Sequence, residues 1–239
     1  MYQHRFYRES IPSAFRLEIA YQESDLLICS DKPIDKESAF AAAKKYHRQI
    51  ETYTKINPAF LNSLSPLRQD KTGAPIVQDM LAACALTGIG PFASVAGAIA
   101  MYVGAEVFNA AGELIVENGG DIFLKINEDK KLAVYLGEHF REQTIYLKIK
   151  KRAQPFGIAS SSAYIGHSLN FGKADLVTVV ADDAILADGF ATALSNTVKT
   201  PEDIPAVIER AKASGCISGL LIAVAGRIAL WGEMEIDGR

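Results

Sequence analysis

Between positions 80 and 105 the chain carries no charged residue. A stretch of that length could cross a bilayer as one helix. Gly88, Gly90 and Pro91 interrupt it, however, and Ala and Gly fill it rather than Leu, Ile or Phe. We therefore read two helices buried in a folded core, with no membrane span. Burying both requires a large apolar surround, and 49% hydrophobic residues in a chain of 239 can supply one. Pro91 suits the first position of the second helix. Ala93, Ala96, Gly97, Ala100 and Gly104 give that helix a smooth stripe for close packing. Residues 88–93 (G-I-G-P-F-A) have the spacing of a dinucleotide fingerprint. No strand precedes them and no acidic residue follows at the required distance, so a Rossmann unit is rejected. The helix start can still face an anion.

A second stretch, 157–196, carries the candidate chemistry. Residues 157–172 are rich in Gly and Ser and read as a loop. Leu176–Ala181 is an unbroken apolar run, the mark of a buried strand. Asp182 or Asp183 offers an N-cap, and a helix follows to about Asn196. One helix face holds Leu186, Phe190, Ala193 and Leu194. The other holds Ala184, Ala187, Asp188, Ala191, Thr192 and Ser195, with no Lys, Arg or Glu. Asp188 and Thr192 stand one turn apart and point the same way. A carboxylate and a hydroxyl among alanines need partners. A hard cation such as Mg²⁺ suits this oxygen pair. The alternative is internal: Asp188 accepts from N–H groups of Ser160, Ser161 and Ser162, and Thr192 bonds back to the Asp188 carbonyl. Spacing alone favours the alternative.

The remaining pattern is α+β. Residues 2–8 and 15–20 alternate as strands, the second turning into 26–29. Asp35 caps a helix of roughly twenty residues with Phe40, Ala43, Tyr46, Ile50 and Tyr53 facing inward. Residues 113–117, 122–126, 132–136 and 144–149 read as consecutive antiparallel strands, with 127–131 a hairpin loop. Between the first two lies N-G-G-D (118–121), a strong tight-turn signal. An amphipathic helix spans 201–213, and 217–224 with 227–231 forms a closing hairpin. No linker divides the chain, so one domain, 1–239, is expected, with a mixed or antiparallel sheet and packed Ala/Gly-rich helices.

A net charge of −3 and a pI near 5.9 leave no nucleic-acid footprint. Cys29, Cys84 and Cys216 form no C-x-x-C pair, which excludes a disulfide framework or zinc knot. The first residues, M-Y-Q-H-R-F-Y, lack the apolar segment of a secretory signal, so a cytoplasmic location is expected. Hairpin edges and Ala/Gly helices are compatible with a homodimer.

The motif A-D-G-F-A-T-A-L (187–194) resembles the A-D-A-L-A-T-A-L motif of the ApbE family, the FAD:protein FMN transferases. G-I-A-S-S-S (157–162) is similar to that family's G-x-A-T-S-G loop, and N-G-G-D-I (118–122) to its G-G-D loop. G-P-F-A-S-V-A-G-A-I-A (90–100), V-E-N-G-G-D-I (116–122) and G-H-S-L-N-F-G-K-A-D (166–175) resemble a set of ApbE-like bacterial and archaeal proteins across nearly the whole chain. The resemblance implies an ApbE-like, T-fold-like architecture. It implies Mg²⁺ at Asp188 and Thr192, with the Ala93 carbonyl completing the shell. It places Gly119, Gly120 and Asp121 beside a flavin, and Ser160, Ser161, Ser162 and Lys173 on phosphate oxygens. His167 would accept a proton. The implied reaction is attack on FAD by a Thr or Ser hydroxyl of a client protein, leaving FMN attached and AMP free. Where the transferases have H-x-x-D-P-x-T-G, this chain has H-S-L-N-F-G-K-A-D, with Asn170 in place of the Asp. The metal pair survives this change better than the flavin pocket. The alternative is therefore a flavin- or nucleotide-binding or assembly protein without transferase activity.

Overall fold

The structure, a computed structural model, describes residues 8, 13–108, 111–141, 143–165 and 169–237. The expected strand at 2–8 falls almost wholly outside them, and His167 also lies outside. Among the described residues, eleven strands and six α-helices follow one another in an α+β order. Eight strands form one sheet in the order β1 (Phe15–Tyr21), β2 (Ser24–Ser30), β3 (Leu114–Asn118), β4 (Asp121–Lys125), β7 (Phe156–Ser161), β8 (Leu176–Ala181), β9 (Ile217–Val224) and β10 (Arg227–Gly232). A smaller sheet has β6 (Thr144–Ile149) between β11 (Met234–Ile236) and β5 (Lys130–Tyr135). Every described pairing is antiparallel.

Strand alternation divides the core into two layers. Val177, Val179 and Ala181 of β8, with Leu26, Ile28, Leu114 and Val116, face the helices. Leu176 and Val180, with Leu27, Ile115, Ile158 and Leu221, face the small sheet. The large sheet is thus covered on both faces, which explains why β8 reads as a continuous apolar run.

The helices are α1 (Lys36–Ile56), α2 (Ala59–Asn62), α3 (Pro75–Thr87), α4 (Val95–Val107), α5 (Ala184–Ser195) and α6 (Ile204–Ser214). Asp35 caps α1 through Oδ2, which accepts from the Ser38 N–H at 2.8 Å. On α1, Ala43, Tyr46 and Ile50 are buried as expected. Phe40 instead stands 39% exposed at the helix edge, with its ring edge-on to Tyr21. The uncharged span 80–105 folds into α3 and α4, joined through Gly88 and a 3₁₀ turn, Pro91–Ser94. The two segments bend by 106°, and no single helix among the described residues is long and apolar enough to cross a membrane.

Two expectations about strands need correction. Residues 157–161 are not loop: they belong to β7, a central strand paired with both β4 and β8. Small residues hide this strand from propensity, yet the packing requires them. A Cβ on Gly157 would lie 2.3 Å from the backbone of Ala184. Residues 127–131 do not close a hairpin between β4 and β5. The chain leaves the large sheet there, and β5 pairs with β6 in the small one. The short strand β11 was not foreseen.

Candidate functional site

Helix α5 crosses the large sheet, and every one of its residues is buried. Asp183 rather than Asp182 caps it, its Oδ1 accepting from the Leu186 N–H at 2.8 Å. Asp188, Thr192 and Ser195 fall on one stripe by helical spacing. The two ends of that stripe are tied down differently.

At one end, Asp188 Oδ2 accepts from the Gly97 N–H at 2.9 Å, and the Ala96 N–H also donates to the carboxylate. Both amides lie in the first turn of α4, so the helix start faces an internal anion. Close approach demands glycine at 97. A Cβ there would sit 2.1 Å from the Ala184 carbonyl oxygen and 2.9 Å from Asp188 Cβ. Burial pushes the Asp188 carboxyl up to about 7, and the two amides only partly offset it. No Lys or Arg pairs with this group among the described residues. The partners expected from the serine loop are not the ones it takes.

At the other end, the Asn170 side chain bridges two strand–helix elements. Its Nδ2 donates to Ser161 Oγ at 3.0 Å and to Ser195 Oγ at 2.7 Å, while Oδ1 accepts from the Gly172 N–H. Between the ends stands Thr192. Its hydroxyl has no hydrogen-bond partner among the described residues, so the expected back-bond to the Asp188 carbonyl is absent. That hydroxyl is not sealed off either, because the single buried, unpartnered side-chain oxygen or nitrogen among the described residues is Gln49 Oε1. A buried carboxylate with no Lys or Arg beside it and a hydroxyl without a partner among the described residues, one turn apart, are what an oxygen-seeking cation can use.

The three serines do not act as a group. Ser161 alone turns toward α5. The Ser160 hydroxyl pairs across the sheet with Thr178 Oγ1 at 2.8 Å, and Ser162 Oγ accepts from the Tyr164 and Ile165 N–H groups, closing its own turn. Lys173 is exposed, its N–H donating to the Val198 carbonyl. Ala93 is half-buried in the 3₁₀ turn before α4, a turn that packs against α5.

The N-G-G-D motif is a tight turn between β3 and β4, with Asn118 opposite Asp121 and both glycines at positive φ. It also reaches the site, through a residue that the sequence reading passed over. Asn118 Nδ2 donates to the Ala96 carbonyl and to Ser24 Oγ, each at 3.2 Å. Ser24 in turn meets His47 Nε2 at 2.8 Å. Burial lowers the His47 pKa and favours its neutral form. Asn118 therefore holds the turn of α4 whose amides hold Asp188. Asp121 is buried beside this network. Glu117 is ion-paired to Arg8 and accepts from the Gly120 N–H at 2.8 Å.

No group of three or more His, Cys, Asp or Glu side chains arranged to hold a metal occurs among the described residues. An all-protein cage of that kind is therefore not present among the described residues. That absence is compatible with Mg²⁺, which uses one or two carboxylates and takes its other ligands from water and phosphate.

A family model described as AbpE bacteria matches residues 8–229. The chain belongs to this family. Its relatives within reach of sequence comparison include UPF0280 protein MJ1526 of Methanocaldococcus jannaschii, 32% identical over 225 residues, covering 92% of this chain and 91% of the relative. The UPF0280 protein of Archaeoglobus fulgidus is 31% identical over 227 residues, covering 92% of each. Among solved structures, the flavin transferase ApbE from Vibrio cholerae aligns with a TM-score of 0.59 at 12% identity, over 91% of this chain and 96% of that one. The ApbE protein from Thermotoga maritima aligns with a TM-score of 0.54 at 14% identity, over 93% and 96%. The AbpE-bacteria chain thus has the ApbE fold.

Proposed function

We propose that this chain binds a flavin nucleotide through Mg²⁺ at Asp188 and Thr192 and acts at its pyrophosphate, releasing AMP from FAD. The observation that carries the reading is the α5 stripe: a buried carboxylate with no cationic partner among the described residues, one turn from a hydroxyl with no hydrogen-bond partner among them. A divalent cation there would satisfy both, and it would draw the Asp188 carboxyl back into its ionised range. Membership of the AbpE-bacteria family and the fold shared with flavin transferases supply the substrate class.

When bound, Mg²⁺ offsets negative charge that develops on phosphate oxygens. The chain's own groups bind and orient. The Ala96 and Gly97 amides hold the Asp188 carboxylate in one direction. Asn118 fixes the turn that carries those amides. Asn170 ties the β7 end to α5. The accepting hydroxyl belongs to a Thr or Ser of a client protein, or to water.

One observation favours a second reading, ligand binding without turnover. The amide at Asn170 stands where the transferase pattern carries Asp, and it is committed to Ser161 and Ser195. The two readings separate in one experiment, in which purified chain is mixed with FAD, with and without Mg²⁺, and AMP and melting temperature are followed. AMP release that requires Mg²⁺ and is lost in D188N supports the enzyme. A Mg²⁺-dependent rise in melting temperature without AMP supports the binder. The absence of both responses would overturn both readings.

A further inference from the structure

Among the described residues the two sheets end on four strands: β1 and β10 in the large sheet, β5 and β11 in the small one. An open edge offers unpaired N–H and C=O groups to any other chain, and folded proteins guard theirs with charge, proline or shortness. β1 carries Arg16 and Glu18, and β5 carries Lys130 and Lys131. β11 is three residues long and carries Glu235. β10 has no such guard. From Ile228 to Gly232 it reads I-A-L-W-G, without a charge or a proline, and Ile228 is 36% exposed. On one side β10 meets β9, and no described helix packs along the other.

The hairpin sets the hydrogen-bond phase of β10. Ala225 and Gly226 form its turn at positive φ, and Arg227 stands opposite Val224. Past the far end of β10, the Glu233 N–H donates to the Ser218 carbonyl at 2.8 Å. In an antiparallel ladder, opposed residues exchange bonds at every second position. Arg227, Ala229, Trp231 and Glu233 therefore turn their amides to β9, and Ile228, Leu230 and Gly232 turn theirs to the open edge.

Two such edges fit each other when laid antiparallel about Leu230. Ile228 then stands opposite Gly232 of the second copy, and Leu230 opposite its own counterpart, so outward groups meet outward groups. In the same register Trp231 faces Ala229, a large side chain beside a small one, and Arg227 faces Glu233, a cation beside an anion. Glu233 already meets Arg152 at 2.9 Å, but its side chain is 58% exposed and open to a second cation. A parallel pairing in register would set like charges side by side.

We propose that β10 pairs with β10 of a second copy of this chain across a two-fold axis at Leu230, joining the two large sheets edge to edge. A two-fold pairing covers both unguarded edges at once and closes at the dimer. α5 packs on β7 and β8, and β9 separates these from β10, so the proposal stands independently of how the α5 site is read.

The test is the mass of the full chain in solution, by sedimentation velocity from low to high micromolar concentration, for wild type and I228K. Ile228 is exposed enough that the lysine is expected to fold as wild type. Wild type should form a dimer that dissociates on dilution, and I228K should associate about tenfold more weakly or worse. A wild type that stays monomeric overturns the proposal, as does I228K dimerising like wild type, or assembly that continues past the dimer. Hydrogen exchange gives a second reading that needs no variant. The Ile228 and Leu230 amides should be protected in the dimer and lose that protection on dilution. Those of Ala229 and Trp231 should stay protected throughout, because they bond to β9. A dimer in which Ile228 and Leu230 exchange freely is held by another surface and overturns the proposal.

Discussion

The Asp188 carboxylate on α5 accepts the Gly97 amide proton of α4 at 2.9 Å, across 91 positions of sequence. One side chain thereby caps a neighbouring helix and forms half of the oxygen pair proposed to hold a cation. Burial favours its protonated form and a bound cation its ionised form, which allows the two to be separated experimentally.

The Asp188 carboxyl is pushed up to about 7 by burial, above the unfolded value of about 3.9. Between these values the folded chain keeps a proton that the unfolded chain has lost. The stabilisation is therefore complete below about pH 4 and is lost as the pH rises through 7, by on the order of 4 kcal/mol in all. D188N removes this titration while keeping an oxygen for the Gly97 N–H. Denaturant unfolding of both proteins from pH 4 to 8 should show wild type falling relative to D188N by that amount. Parallel curves would contradict the assignment.

Thr192→Val is expected to leave stability within about 0.5 kcal/mol of wild type, because the hydroxyl has no partner among the described residues and valine keeps its shape. The same substitution should weaken Mg²⁺-dependent FAD binding about tenfold, a change of about 1.4 kcal/mol. Calorimetric titration with and without Mg²⁺ measures this. Equal loss in both conditions would show that Thr192 serves packing alone.

Gly157→Ala and Gly97→Ala place a methyl group against the Ala184 backbone from two sides, at 2.3 Å and 2.1 Å. Backbone cannot rotate away as a flexible side chain can. Each substitution should cost roughly 3 kcal/mol or more, read as a shift of the denaturation midpoint. Full stability in either would mean that α5 can move off the sheet.

At position 170 the two partners of the amide are hydroxyls, which can donate as well as accept. Asn170→Asp should therefore fold with little loss, the Ser161 and Ser195 hydroxyls turning to donate. Asn170→Leu leaves both hydroxyls and the Gly172 N–H unmatched and should cost about 1–3 kcal/mol. Melting curves of the two variants test the contrast, and equal losses would deny it.

Much of this was legible in the chain alone. Period-3.6 spacing put Asp188, Thr192 and Ser195 on one stripe without any knowledge of neighbours, since that geometry is internal to a helix. The absence of charge from 80 to 105 required α3 and α4 to be buried. The Asn-Gly turn, the Asp35 cap and the closing hairpin were likewise written in local preferences. Motif resemblance then supplied the family.

What local pattern cannot hold is which surface meets which. Gly157 reads as loop material until α5 is laid across it, when glycine becomes the one residue that fits. Whether β5 continues the large sheet or starts another depends on which edge is free, and alternation is the same in either case. The partner of Asp188 and the route from Asn118 to α4 both join residues far apart in sequence. Each arises because a buried polar group must find a partner wherever the packed chain offers one, and only the folded arrangement determines where that is.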